Sequence, residues 1–179
     1  MRNPPAFART LCAVDYVFPW DRLISKFKFH AQVELADVLS QRMVDVVAMS
    51  LADDSVTAPR WVIPVPLSPQ RLAERGFNQA WELARRVARA LSLRADAGIL
   101  ARVIETPHQA DLTRAERLRN LRAAFVVDAR HAHALQGQRV ALVDDVMTTG
   151  ATADESARAL LRAGASAVDL WVLARTPAP

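Results

Sequence analysis

The residues of this 179-residue chain that could do chemistry gather in one segment, Val143-Asp144-Asp145-Val146-Met147-Thr148-Thr149-Gly150-Ala151-Thr152. A near-continuous apolar run, residues 139–143, reads as a strand of a parallel sheet covered on both faces, and it leads straight into two acids. Small residues follow, then a helical pattern over 153–163 that Gly164 ends. In open parallel sheets, ligands sit beyond the carboxyl ends of the strands, which is where this loop falls. Amides of a turn entering a helix converge on an anion, and Gly150 permits the backbone such a turn needs. Thr148, Thr149 and Thr152 add hydroxyl donors, with Ala151 between them. Asp144 and Asp145 are acceptors suited to a sugar diol with a divalent ion nearby. Phosphate on the amides and hydroxyls on the acids make a sugar phosphate the expected ligand class. No lysine follows the glycine, so this is not the nucleoside-triphosphate P-loop. Each piece also has a structural reading: Thr152-x-x-Glu155 fits a helix capping box, and Thr-Thr-Gly fits plain turn chemistry.

The elements that must position this segment are legible from periodicity. Residues 168–173 form the next strand, so strand, loop, helix and strand make a βαβ unit and the fold class is α/β. Residues 1–29 read as an irregular arm, and 31–50 as a helix with Val33, Ala36, Leu39, Met43 and Val47 on one stripe. Residues 61–65 read as a short buried strand, after which prolines 64, 66 and 69 hold an extended loop. Asn78 to Leu91 is an amphipathic helix that Asn78 could cap. Residues 98–104 and 124–127 read as strands, and 105–121 as a polar, Arg-rich stretch.

Other candidates lie outside the central segment. Arg71 and Arg75 share a face if their stretch is helical, and a guanidinium fits phosphate oxygens bidentately; the same spacing fits surface arginines. Lys28 stands out because only it and Lys26 are lysines among 23 basic residues. It fits a core-edge or surface role as well as a ligand contact. Arg114, Arg117 and Arg119, with Arg122 just beyond, enrich 105–121 as a solvated face or a cationic lid. His108, His131 and His133 read as loop residues, and Trp61, Trp81 and Trp171 as core, with no aromatic platform for single-stranded bases.

The bulk numbers set bounds. Apolar residues make up 51%, enough for one continuous core, and the length fits one compact domain. A net charge of +4 suits polyanionic ligands or a plain basic surface. Cys12 is the one cysteine, which excludes an internal disulfide and a cysteine-based zinc site. No stretch approaches 18 apolar residues and no secretory signal is evident, so no membrane insertion and a cytoplasmic location are expected.

Two stretches carry a family resemblance. The 143–152 segment resembles the signature of type I phosphoribosyltransferases for 5-phosphoribosyl-1-pyrophosphate (PRPP). Pro64-Val65-Pro66-Leu67, Arg71, Arg75-Gly76-Phe77-Asn78-Gln79 and Leu83-Ala84 resemble the ComF family of ComFC/GntX-like competence proteins, as do Gln109, Leu112, Arg117, Asn120 and Phe125. The resemblance implies a mainly parallel sheet flanked by helices, with residues 1–50 as N-terminal arm and hood helix and 51–179 as the phosphoribosyltransferase-like core. It implies that Asp144 and Asp145 hold the ribose hydroxyls and Mg²⁺, and that Thr148, Thr149, Gly150, Ala151 and Thr152 bind the 5′-phosphate. Pro66, Leu67 and Ser68, followed by Arg71 and Arg75, would meet pyrophosphate. Residues 105–121, with Arg114 and Arg117, would be a flexible loop closing over the reacting centre. The implied activity is Mg²⁺-dependent phosphoribosyl transfer to an unidentified base, linked to competence and DNA uptake. The rival expectation is a PRPP-sensing or single-stranded-DNA-handling accessory protein without turnover. Single-stranded DNA, a competence helicase and a second copy of the chain are the partners this suggests. The family's N-terminal zinc-ribbon cysteines are missing from this sequence, through loss of the module or a truncated start.

Overall fold

The computed structural model describes residues 4–29, 32–103 and 124–177. Five strands form one parallel sheet in the order β1-β7-β6-β2-β3, and β4 and β5 form a separate antiparallel pair. In chain order these are β1 (Arg9–Asp15), β2 (Trp61–Pro64), β3 (Arg94–Ala95), β4 (Leu100–Arg102), β5 (Phe125–Val127), β6 (Arg139–Met147) and β7 (Ala167–Arg175). The helices are α1 (Trp20–Phe29), α2 (Leu35–Leu51), α3 (Pro69–Arg75), α4 (Gln79–Ala90), α5 (Ala129–Leu135) and α6 (Ala151–Arg162). The expected α/β class and mainly parallel sheet are present.

The sheet is apolar on both faces because strand side chains alternate. Val140 and Leu142 of β6 and Leu170 and Val172 of β7 face α6, α5 and the β4–β5 pair, packing on Ala157, Leu160, Leu135, Leu100 and Phe125. Their neighbours Ala141, Val143, Trp171 and Leu173 face α1, α2 and α4, packing on Ile24, Phe27, Leu39, Met43, Leu83 and Val87. Each fully buried large side chain contributes roughly 1.5–3 kcal/mol over its exposed state. Phe27 of α1 also meets Phe77, ring centroids 5.5 Å apart, which docks the end of α1 on the corner before α4.

Several expectations need correction. Residues 1–29 contain a strand and a helix, not only an irregular arm: β1 pairs in parallel with β7, from Arg9↔Asp169 to Asp15↔Arg175. Its side chains are mostly half-buried at a sheet edge, so no clean alternation marks it. The strand expected over 98–104 is only three residues long and pairs antiparallel with β5. His131 and His133 lie on α5, and His131 Nε2 is 3.3 Å from Asp96. The residues 104–123, including His108, Gln109, Leu112, Arg114, Arg117, Arg119, Asn120 and Arg122, lie outside the described residues.

At the amino end of the strands, Asp169 is fully buried and paired with Arg9 at 3.0 Å and with Arg139 at 2.7 Å. This ties β1, β7 and β6 together at the end away from the acid pair.

Candidate functional site

Strand β6 runs through the acid pair to Met147, so Asp144 and Asp145 sit on the last turns of a strand held by β2 and β7. Asp144 Oδ1 accepts from Asp145 N–H at 2.8 Å, and Asp145 Oδ1 accepts from Val146 N–H at 2.6 Å. The chain then turns through exposed Thr148 and Thr149 to Gly150, whose φ of 75° is left-handed and serves as the N-cap of α6. The capping box that Thr152-x-x-Glu155 offered as a structural alternative does not form; Gly150 takes the cap position and Thr152 lies in the first turn. Thr148, Thr149, Gly150, Ala151 and Thr152 together line a small cavity shared with Asp144, about 40 Å³.

A second cavity, about 180 Å³, adjoins the first through Asp144, Val146 and Thr152. Its floor is the extended segment Val65, Pro66 and Leu67 that follows β2. Four cations line it: Lys28 from α1, Arg71 and Arg75 from α3, and Arg102 from β4. Among the described lining residues these four cations stand beside two acids, Asp144 and Asp145, a mixture that suits a phosphate ester.

Lys28 is the most informative of the four. Its Nζ lies 3.0 Å from Asp145 Oδ1, with side chains only 17% and 11% exposed. Helix α1 therefore delivers a cation directly to the acid pair, and a plain surface role is excluded. Removal from water, with the adjacent Asp145 charge, pushes the Asp144 carboxyl up to about 7, while Lys28 acts against that rise.

The second strand's loop is built by capping. Ser68 does not line the cavity; its hydroxyl accepts from Arg71 N–H at 3.3 Å and caps α3, with Pro69 at the first helical position. Gly76, φ 77°, ends α3, and Asn78 starts α4 by accepting from Ala80 N–H at 2.9 Å and Trp81 N–H at 3.3 Å. Asn78 Nδ2 also donates to Val65 O at 3.1 Å, fastening α4 to the extended floor.

A model of the phosphoribosyl transferase domain matches residues 77–179, from this corner through the acid pair to the carboxyl end. The chain belongs to that family. Its relatives include DNA utilization protein YhgH of Escherichia coli O6:H1, 36% identical over 176 residues, spanning 98% of this chain and 76% of that one. Competence protein F of Haemophilus influenzae is 33% identical with the same coverage, and competence protein ComFC of Bacillus subtilis is 30% identical over 86% of this chain and 58% of its own length. The ComF resemblance therefore holds over nearly the whole sequence. Among solved structures, a glutamine PRPP amidotransferase from B. subtilis superposes with a TM-score of 0.54 at 17% identity, over 84% of this chain; the chain spans 30% of that protein. That likeness establishes the phosphoribosyltransferase fold.

The structure thus brings together Lys28, Pro66, Leu67, Arg71, Arg75, Asp144, Asp145 and the 148–152 turn of this family member. Sequence reading gave no role to Arg102 or Gln79, which also line the larger cavity. Arg102 was findable: inward Leu100 places it on the inward face two residues later, and its guanidinium lies 5.5 Å over Phe125.

Proposed function

We propose that this phosphoribosyltransferase-family protein binds PRPP with Mg²⁺ and transfers its phosphoribosyl group to a nitrogenous base. The observation that carries the reading is the contiguity of three unlike surfaces: a small-residue turn at a helix entrance, an acid pair, and a four-cation corner. They match, in order, the 5′-phosphate, the ribose diol and the pyrophosphate.

Two adjacent carboxylates fit Mg²⁺, which commonly takes one or two protein carboxylates and completes its shell with water and ligand phosphates. Among the described residues no group of three or more acids, histidines or cysteines forms a cage, so ligand oxygens would have to share the ion. When bound, Mg²⁺ would supply counter-charge to the departing pyrophosphate. The protein's own residues do the rest. The amides of 148–152 and the α6 dipole fix the 5′ end. Asp144 and Asp145 accept from the ribose hydroxyls and place C1 at the mouth of the cavity. Arg71, Arg75 and Arg102 stabilise the negative charge that builds on pyrophosphate as a base nitrogen attacks C1.

Calorimetric titration with PRPP, with and without Mg²⁺, tests this. Asp145→Asn should weaken binding by roughly 1.5–3 kcal/mol, the scale of a charge-assisted contact. Unchanged Mg²⁺-dependent affinity in that variant refutes the assignment. Kinship with a DNA utilization protein and a competence protein favours a second reading, PRPP binding in DNA utilization without turnover. Pyrophosphate release on mixing with PRPP, Mg²⁺ and a panel of bases separates the two.

A further inference from the structure

Two consecutive carboxamides at the α3–α4 corner are used differently. Asn78 commits its whole side chain to the fold, its Nδ2 donating to Val65 O and its Oδ1 capping α4. Gln79, only 1% exposed, lines the cavity. Its Oε1 accepts from Arg75 Nη1 at 3.0 Å, and its buried Nε2 has no partner. An orphaned buried amide group is destabilising, and an apolar side chain of similar volume would avoid it. The orientation is fixed, since turning the amide over would set its NH₂ against the guanidinium, donor against donor.

We propose that Gln79 is a positioning residue that holds the Arg75 guanidinium toward the pyrophosphate of PRPP; this rests on the PRPP reading above. Arg75 ends α3, Gly76 turns the chain, and the guanidinium reaches across the corner to the first residue of α4. A carboxylate at this position would add a negative charge beside Arg75 and the ligand. A carboxamide accepts from the guanidinium and adds none. A local conflict with stability that serves a binding group is what a functional position shows.

The test is calorimetry of the full chain with two probes, PRPP with Mg²⁺ and ribose 5-phosphate, which shares the sugar and 5′-phosphate but lacks pyrophosphate. Gln79→Met should weaken PRPP about 5- to 10-fold, the scale of one neutral hydrogen bond, and change ribose 5-phosphate less than about twofold. Gln79→Glu keeps the volume and the acceptor, and should weaken PRPP more than Gln79→Met does, because it sets a new negative charge in the wall that faces pyrophosphate. In an Arg75→Met background, Gln79→Met should add nothing. Equal losses for both probes, unaltered PRPP affinity, or full additivity with Arg75→Met overturns the role of Gln79 while leaving the PRPP reading intact. Wild-type protein that binds neither probe overturns the PRPP reading itself.

Discussion

Replacing Lys28 by Met removes a charge and keeps most of an apolar stem, so it isolates the ion pair to Asp145 from packing. At 3.0 Å and an effective dielectric constant near 20, the gross attraction is about 5–6 kcal/mol. Taking both groups largely out of water offsets much of this. Breaking a fully buried pair from one side costs about 3–5 kcal/mol, and this pair lies at a cavity wall, so we expect about 1.5–3 kcal/mol. For a chain of this size that lowers the melting temperature by roughly 4–10 °C. The assay is a double-mutant cycle: unfolding of wild type, Lys28→Met, Asp145→Asn and the double variant, without ligand or Mg²⁺. Once Asp145 is neutral, the lysine should matter little, giving a coupling energy of about 1.5–3 kcal/mol. That coupling should survive high salt better than the pair Arg42–Asp45, whose side chains are both 48% exposed. Effects that add within about 0.5 kcal/mol would refute the claim that α1 is fastened to the acid pair by charge.

Two further outcomes are expected. Gly150→Ala has room, since the new Cβ would lie 3.6 Å from Met147 Sδ and 3.9 Å from Phe7 Cζ, but φ of 75° makes it strained by about 1–2 kcal/mol; calorimetry should show weaker ribose 5-phosphate binding, and wild-type affinity would refute the phosphate turn. Asp144 holds its proton in the folded chain up to about pH 7, where the unfolded chain has already lost it, so its contribution makes stability fall as pH rises from about 4 to about 7. Asp144→Asn abolishes that term, and thermal melts should show the variant gaining on wild type from pH 5 to about pH 7 and levelling off above it; a pH-independent difference would contradict it.

The parts of this site that were legible in the sequence are those where chemistry and framework are contiguous. Residues 139–164 hold a buried strand, two acids, a small-residue turn and a helix in one run, so period and spacing place every group without knowledge of the rest of the fold. The same locality made Asn78 readable as a cap. β1 was missed because an edge strand half-buried along its length lacks the alternation that marks a strand covered on one face. The capping box at Thr152 was a pattern whose position Gly150 took, one of several local signals competing for the same helix start.

The cationic wall is legible only in pieces, for a different reason. Lys28, Arg71 and Arg75 could be singled out one by one, but they and Arg102 come from three separate elements, and nothing local says that they meet. What gathers them is the sheet order: β2 lies beside β6, so the loop after β2 and the acids at the end of β6 must open on the same side. Helix α1, docked through Phe27 on Phe77, then has no other place for Lys28 than the acid pair. The apolar contact and the ion pair are one residue apart in the chain, so the packing that stabilises the fold also delivers the charge. A substitution that loosens Phe27 should therefore act on the acid pair at a distance, through the position of Lys28.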